Sequence, residues 1–140
     1  MGFSIHSKLV ADTINLGSFP LCEVLLMNDC RFPWIILVPK IPDLQDFHEI
    51  PAQHRDVLFQ EIEKASETIQ KNWQIDKMNV AALGNQVSQL HIHVIGRRRT
   101  DEAWPNPVWG YGTPISYDTA DLSILIQSLK CQLAIATPKT

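Results

Sequence analysis

The run Gln89-Leu90-His91-Ile92-His93-Val94-Ile95-Gly96-Arg97 opens with strict alternation of polar and apolar residues. That period of two belongs to a β-strand, in which successive side chains point to opposite faces. Leu90, Ile92 and Val94 then share one face, which must be buried, and Gln89, His91 and His93 share the other. A rise of about 3.3 Å per residue sets neighbours on one face roughly 7 Å apart, so both imidazoles can reach one small group. A lone strand histidine is usually a surface residue or a hydrogen-bonded core residue. Two aligned on an otherwise apolar strand point to chemistry, since a neutral imidazole serves as nucleophile, general base or metal ligand.

Other segments supply partners for such a strand. Leu21 to Met27 and Trp34 to Val38 are short apolar runs separated by a turn carrying Asn28 and Asp29, and they read as a hairpin whose second strand is central. Met78 to Leu83 reads as a further strand, joined to the histidine strand by the polar connection Gly84-Asn85-Gln86-Val87-Ser88, with antiparallel pairing. Helical spacing runs from Pro51 to Trp73, from Asp118 to Ala136 and, more weakly, from Ser7 to Leu16. The fold class expected is α+β: an antiparallel sheet of about five strands with one long helix plus terminal helices. Residues 100–117, whose stretch Ala103–Gly112 carries Trp104, Trp109, Tyr111, two prolines and two glycines, are too irregular for an element and too aromatic for a disordered tail. They are expected to form an ordered cover over the sheet or a partner subunit.

A chain of 140 residues fits a single domain, and its net charge of −3 gives no whole-chain footprint for nucleic acid. No apolar run is long enough to span a bilayer and the start carries no secretory pattern, so no membrane is involved and a cytoplasmic location is the default expectation. Cys22, Cys30 and Cys131 lie far apart, outside any Cys-x-x-Cys arrangement, and read as reduced thiols. Arg97, Arg98 and Arg99 read more readily as a solvated strand end than as a phosphate site. His6 reads as a surface residue, and His48 and His54 as solvated.

Three chemistries fit the histidine face. A three-histidine zinc site needs a third ligand that neither His6, His48 nor His54 supplies by spacing, so no metal is expected. Phosphotransfer needs an attacking imidazole, donors for the phosphoryl oxygens and a group that fixes the tautomer. His91 and His93, with Asn85, Gln86 and Ser88 nearby, meet those needs without a cofactor. A non-catalytic binding module could use the same pocket.

Gln-Leu-His-Ile-His-Val-Ile-Gly-Arg resembles the histidine triad (HIT) motif, histidine-φ-histidine-φ-histidine-φ-φ with φ apolar, at all positions except the first. The resemblance covers roughly residues 20–99, within a domain of 1–140 that continues through the 100–117 cover and the 118–136 helix. The segment Trp-Pro-Asn-Pro-Val-Trp-Gly also resembles one in bacterial HIT-like proteins. The resemblance implies a hydrolase or transferase acting at the α-phosphate of dinucleoside polyphosphates or nucleoside phosphoramidates, or else a nucleotide-binding regulatory protein with weak or no catalysis. It implies His91 as the nucleophile that forms a nucleotidyl-histidine intermediate and His93 as a phosphate contact. Asn28 and Asp29 match a ribose-binding turn, Asn85 and Gln86 a phosphate loop, and the partner expected beyond the nucleotide is a second copy in a homodimer. Gln89 stands where the first histidine belongs, supplying a carboxamide and the carbonyl that would orient His91. Trp34 stands where many relatives carry a histidine that assists the leaving group. These departures imply a slower enzyme or one preferring good leaving groups.

Overall fold

The structure, a computed structural model, describes residues 2–135. In chain order it contains α1 (Ser7–Asp12), β1 (Thr13–Ser18), β2 (Cys22–Met27), β3 (Trp34–Pro39), α2 (Arg55–Asn72), β4 (Lys77–Ala81), β5 (Ile92–Arg97) and α3 (Thr119–Leu133), with 3-10 turns at Phe47–Glu49 and Ala52–His54. The five strands form one antiparallel sheet in the order β1-β2-β3-β5-β4. This is the α+β architecture expected from the periodicity.

β3 lies at the middle of the sheet with all six residues buried, which is why its sequence is almost unbroken in apolar residues. On one face of the sheet Val24, Leu26, Ile35, Leu37, Ile92 and Val94 pack with Leu58, Ala65 and Ile69 of α2 and Leu129 and Leu133 of α3. On the other, Leu25, Trp34, Ile36 and Ile95 pack with Phe32 and with Ala103 and Val108. Ala103, Val108 and Trp109, from residues 100–117, thus pack against the face that carries the histidines. The expected end of the last helix, Ala136, lies outside the described residues.

Two residues set how α2 meets the sheet. A Cβ on Gly96 would stand 2.6 Å from Ile75 Cδ1 and 2.7 Å from Ile69 Cγ2, so only glycine admits the helix this close to β5. Glu61, buried on the inner side of α2, accepts from the backbone N–H groups of Leu21 at 2.8 Å and Cys22 at 2.9 Å. Burial, reinforced by the Glu61 carboxylate, pushes the Cys22 thiol above its ordinary value, so it stays protonated and unreactive.

The segment 7–16, expected as one helix, divides after Asp12. Thr13 Oγ1 donates to the Leu9 carbonyl at 2.6 Å where α1 ends, and Ile14 then pairs with Leu26 as β1 extends the sheet. Thr13 and Ile14 are β-branched and suit a pleated surface better than a helix. The exposed edge of β2 thus outweighs a weak helical spacing. Among the described residues no helix is long and apolar enough to cross a membrane.

Candidate functional site

His91 and His93 lie on the covered face of the sheet, each 6 % exposed, with ring centroids 4.8 Å apart. Their alternation with Ile92 and Val94 puts them opposite the helices, as the pleat requires. His91 Nδ1 is 2.7 Å from the Gln89 carbonyl. A carbonyl only accepts, so Nδ1 carries the proton and Nε2 keeps its lone pair. His93 has the opposite arrangement, because its Nδ1 accepts from Trp34 Nε1–H at 3.0 Å and its proton is left on Nε2. One ring offers a nucleophile and its neighbour a donor.

Burial fixes these states. It holds His91 below the ordinary histidine value, against the pull of the Gln89 carbonyl and with help from the charge of His6. Burial, and then repulsion from His91, push His93 down to about 3. Trp109 stands edge-on to His93 at 5.3 Å and to Trp34 at 6.4 Å. Its Nε1 is buried with no protein acceptor.

Beside His91 opens a cleft of about 200 Å³, several times the roughly 30 Å³ of a water molecule. Gly84 and Leu83 line it from the connection after β4, and Asp46 and His48 from the turn before α2. A backbone bond from Leu90 N–H to the Leu44 carbonyl at 2.9 Å draws that turn to the histidine strand. His48, expected simply as solvated, is exposed yet borders the cleft. Nothing in its local sequence shows this, since the placement depends on a long-range bond.

The other expected residues divide. Asn85, Gln86 and Ser88 are exposed in the connection that leads into the histidine strand. Asp29 is 1 % exposed, and its carboxylate accepts from Arg31 Nε at 2.9 Å, Arg31 Nη2 at 2.8 Å and the Arg31 N–H at 3.1 Å. Burial would raise its pKa, but those bonds and Ile115 N–H hold it below the usual carboxylate value. Asn28 Oδ1 accepts from Tyr117 N–H at 3.0 Å. The turn expected to hold a sugar is thus engaged in anchoring Arg31 and the segment before α3. The Gln89 carbonyl meets His91 Nδ1, and the Gln89 side chain bonds Ser4 and His6 of the amino-terminal arm. Arg97 is buried and bonded to Asp101, Asn79 and the Asn106 carbonyl, a role in holding the cover. Among the described residues no three His, Cys, Asp or Glu side chains cluster as metal ligands would.

Comparison with known proteins agrees with this arrangement. Residues 8–100 match the family model described as HIT domain. A histidine triad protein from Marinobacter aquaeolei VT8 is 42% identical, with 96% of this chain and 98% of that one covered and a TM-score of 0.92. One from Bradyrhizobium japonicum is 39% identical, covering 95% of this chain and 99% of that one, with a TM-score of 0.91. One from Sinorhizobium meliloti 1021 is 35% identical, covering 93% and 96%, with a TM-score of 0.89. Among curated proteins none matches the chain. A model matched over most of the length and three solved relatives above 30% identity place it: the chain belongs to the HIT (histidine triad) family.

Proposed function

We propose that this protein is a nucleotide hydrolase or transferase that cleaves at the α-phosphate of a dinucleoside polyphosphate or nucleoside phosphoramidate, with His91 as nucleophile. The observation that carries this reading is the pair of opposed tautomers, a free lone pair on His91 Nε2 beside a donor on His93 Nε2. His91 Nε2 bonds to phosphorus as the bond to the leaving group breaks, and water then displaces the nucleotide and returns the lone pair to Nε2. Developing charge on the phosphoryl oxygens is met by His93 Nε2–H and by the amides and hydroxyl of Asn85, Gln86 and Ser88. His93, held near 3, is a neutral donor at pH 7 and no acid. A phosphate leaving group needs no proton, whereas an amine does, so phosphoanhydrides are the better substrates of the two. The resemblance also supports a homodimer, with the open edge of β4 as the surface available to a second copy.

Turnover of diadenosine polyphosphates and adenosine phosphoramidates by wild type and His91→Ala tests the assignment. The variant is expected to lose at least about a thousandfold in kcat, as removal of a nucleophile does. Equal turnover by both proteins rejects it. Adenosine monophosphate binding with no product from wild type would instead assign a regulatory nucleotide-binding role.

A further inference from the structure

Gln89 stands at the position where the motif has its first histidine, and its carboxamide is bonded at both ends to the amino-terminal arm. Nε2–H donates to the Ser4 carbonyl at 2.8 Å, and Oε1 accepts from the His6 N–H at 2.8 Å. This is how one edge of a neighbouring strand would hold an extended segment, by one carbonyl and one N–H two residues apart. Ile5, between the two anchor points, packs against the cluster that contains Trp34 and Val87. The carbonyl of the same Gln89 holds His91 Nδ1 at 2.7 Å. One residue therefore holds the His91 ring through its carbonyl and the His6 backbone through its carboxamide.

The His6 ring is itself oriented. Its Nδ1 accepts from the Lys8 N–H at 3.0 Å as the cap of α1. An engaged acceptor at Nδ1 puts the proton of the neutral ring on Nε2. Capping alone does not account for an imidazole here, because Ser, Thr, Asp or Asn are the residues that cap best. The residue is exposed, and the Gln89 that holds its backbone N–H stands two positions before His91 and bonds that ring through its own carbonyl.

We infer that His6 contacts the substrate: its Nε2–H donates to an oxygen of the phosphate held at His91, and Gln89 is the positioning residue that brings it there. The inference rests on the nucleotidyl-transfer reading and deepens it. The strand position that lacks an imidazole is served by one from the arm, 83 residues earlier than its anchor. His6 acts as a hydrogen-bond donor and transfers no proton, since its Nδ1 is occupied as an acceptor. A donor of this kind stabilises an anionic phosphate in the transition state without giving up charge of its own.

Steady-state kinetics with diadenosine tetraphosphate, together with ¹⁵N spectra of the histidine rings during titration with adenosine monophosphate, test this. His6→Ala is expected to lower kcat/KM about 10-fold, the usual effect of one hydrogen bond to a charged group. His6→Gln keeps an N–H of similar reach and should recover most of that loss. Gln89→Ala should fall by a similar factor, and the double variant His6→Ala, Gln89→Ala should be no worse than either single one, because both remove the same contact. In wild type the His6 Nε2 resonance should move as the nucleotide saturates. The inference is overturned if His6→Ala stays within about twofold of wild type, if His6→Gln is no better than His6→Ala, if the two losses multiply, or if the His6 resonance is unmoved while that of His91 shifts. Loss of turnover in His91→Ala with His6→Ala unaffected removes this inference alone, whereas turnover surviving in His91→Ala removes the parent reading and this one with it.

Discussion

A proton arriving at His93 must enter a buried ring whose Nδ1 lone pair is already taken by Trp34 and whose neighbour is a second imidazole. The folded chain resists that proton down to about 3, whereas the unfolded chain accepts it at the ordinary 6.5. Between those values the unfolded state binds one proton more, so stability is complete above 6.5 and is lost as pH falls through the window. The slope is at most about 1.4 kcal/mol per pH unit for one proton. Urea unfolding of wild type at pH 7, 6, 5 and 4 is expected to show this decline, and His93→Asn should flatten it. Trp34→Phe, by freeing Nδ1, should raise the value for His93 and narrow the window. A wild-type stability that stays constant from pH 7 to 4 contradicts the neutral, Trp34-bound ring.

At the scale of elements, the site depends on the join between the end of β5 and the cover. Arg97 closes that join by donating to Asp101 from Nε at 2.9 Å and from Nη2 at 3.0 Å, both side chains being 2% exposed. Asp101 also accepts from the N–H groups of Arg98 at 3.1 Å and Trp104 at 2.8 Å. Its burial would raise its pKa, yet Arg97 and these N–H groups hold it below the usual carboxylate value. Removing one partner of a buried pair costs about 3–5 kcal/mol, because the other charge is left without compensation. Asp101→Asn keeps the shape and loses the charge, and is expected to destabilise the fold by about 3 kcal/mol in chemical denaturation. It should also change the near-ultraviolet circular dichroism, since Trp104 and Trp109 sit in the loosened segment. A stability within about 0.5 kcal/mol of wild type would show that the cover is held by its apolar contacts alone.

At the scale of the whole molecule, β4 ends the sheet with one edge unpaired, and its Val80 is 44% exposed. An open edge bearing an apolar side chain is a template for pairing with another chain, and the one charged residue of β4, Lys77, stands at its start, away from Val80. The proposed homodimer is checked by light scattering, where a particle of twice 15.9 kDa is expected. Val80→Lys should shift the equilibrium to monomer. A single 15.9 kDa species at high concentration excludes the dimer.

Period and polarity determined most of the architecture from the chain alone. The run from Leu90 to Val94 could bury Leu90, Ile92 and Val94 only by turning His91 and His93 together to the other face, and the apolar run of β3 could be stable only at the centre of a sheet. Those are local consequences of side-chain alternation and of the need to remove apolar surface from water. The tertiary structure decided what no local pattern encodes. It made a strand of residues 13–18, because an edge of β2 was there to pair with. It placed Glu61 on two backbone N–H groups of another segment, engaged Asp29 with Arg31, and gave His93 its tautomer through Trp34. It also joined His6 to Gln89. Apart from the β1–β2 pairing and the Asp29–Arg31 bonds, each of these is a hydrogen bond between residues distant in sequence, and a polar side chain carries no sign of its partner until packing brings the two within reach.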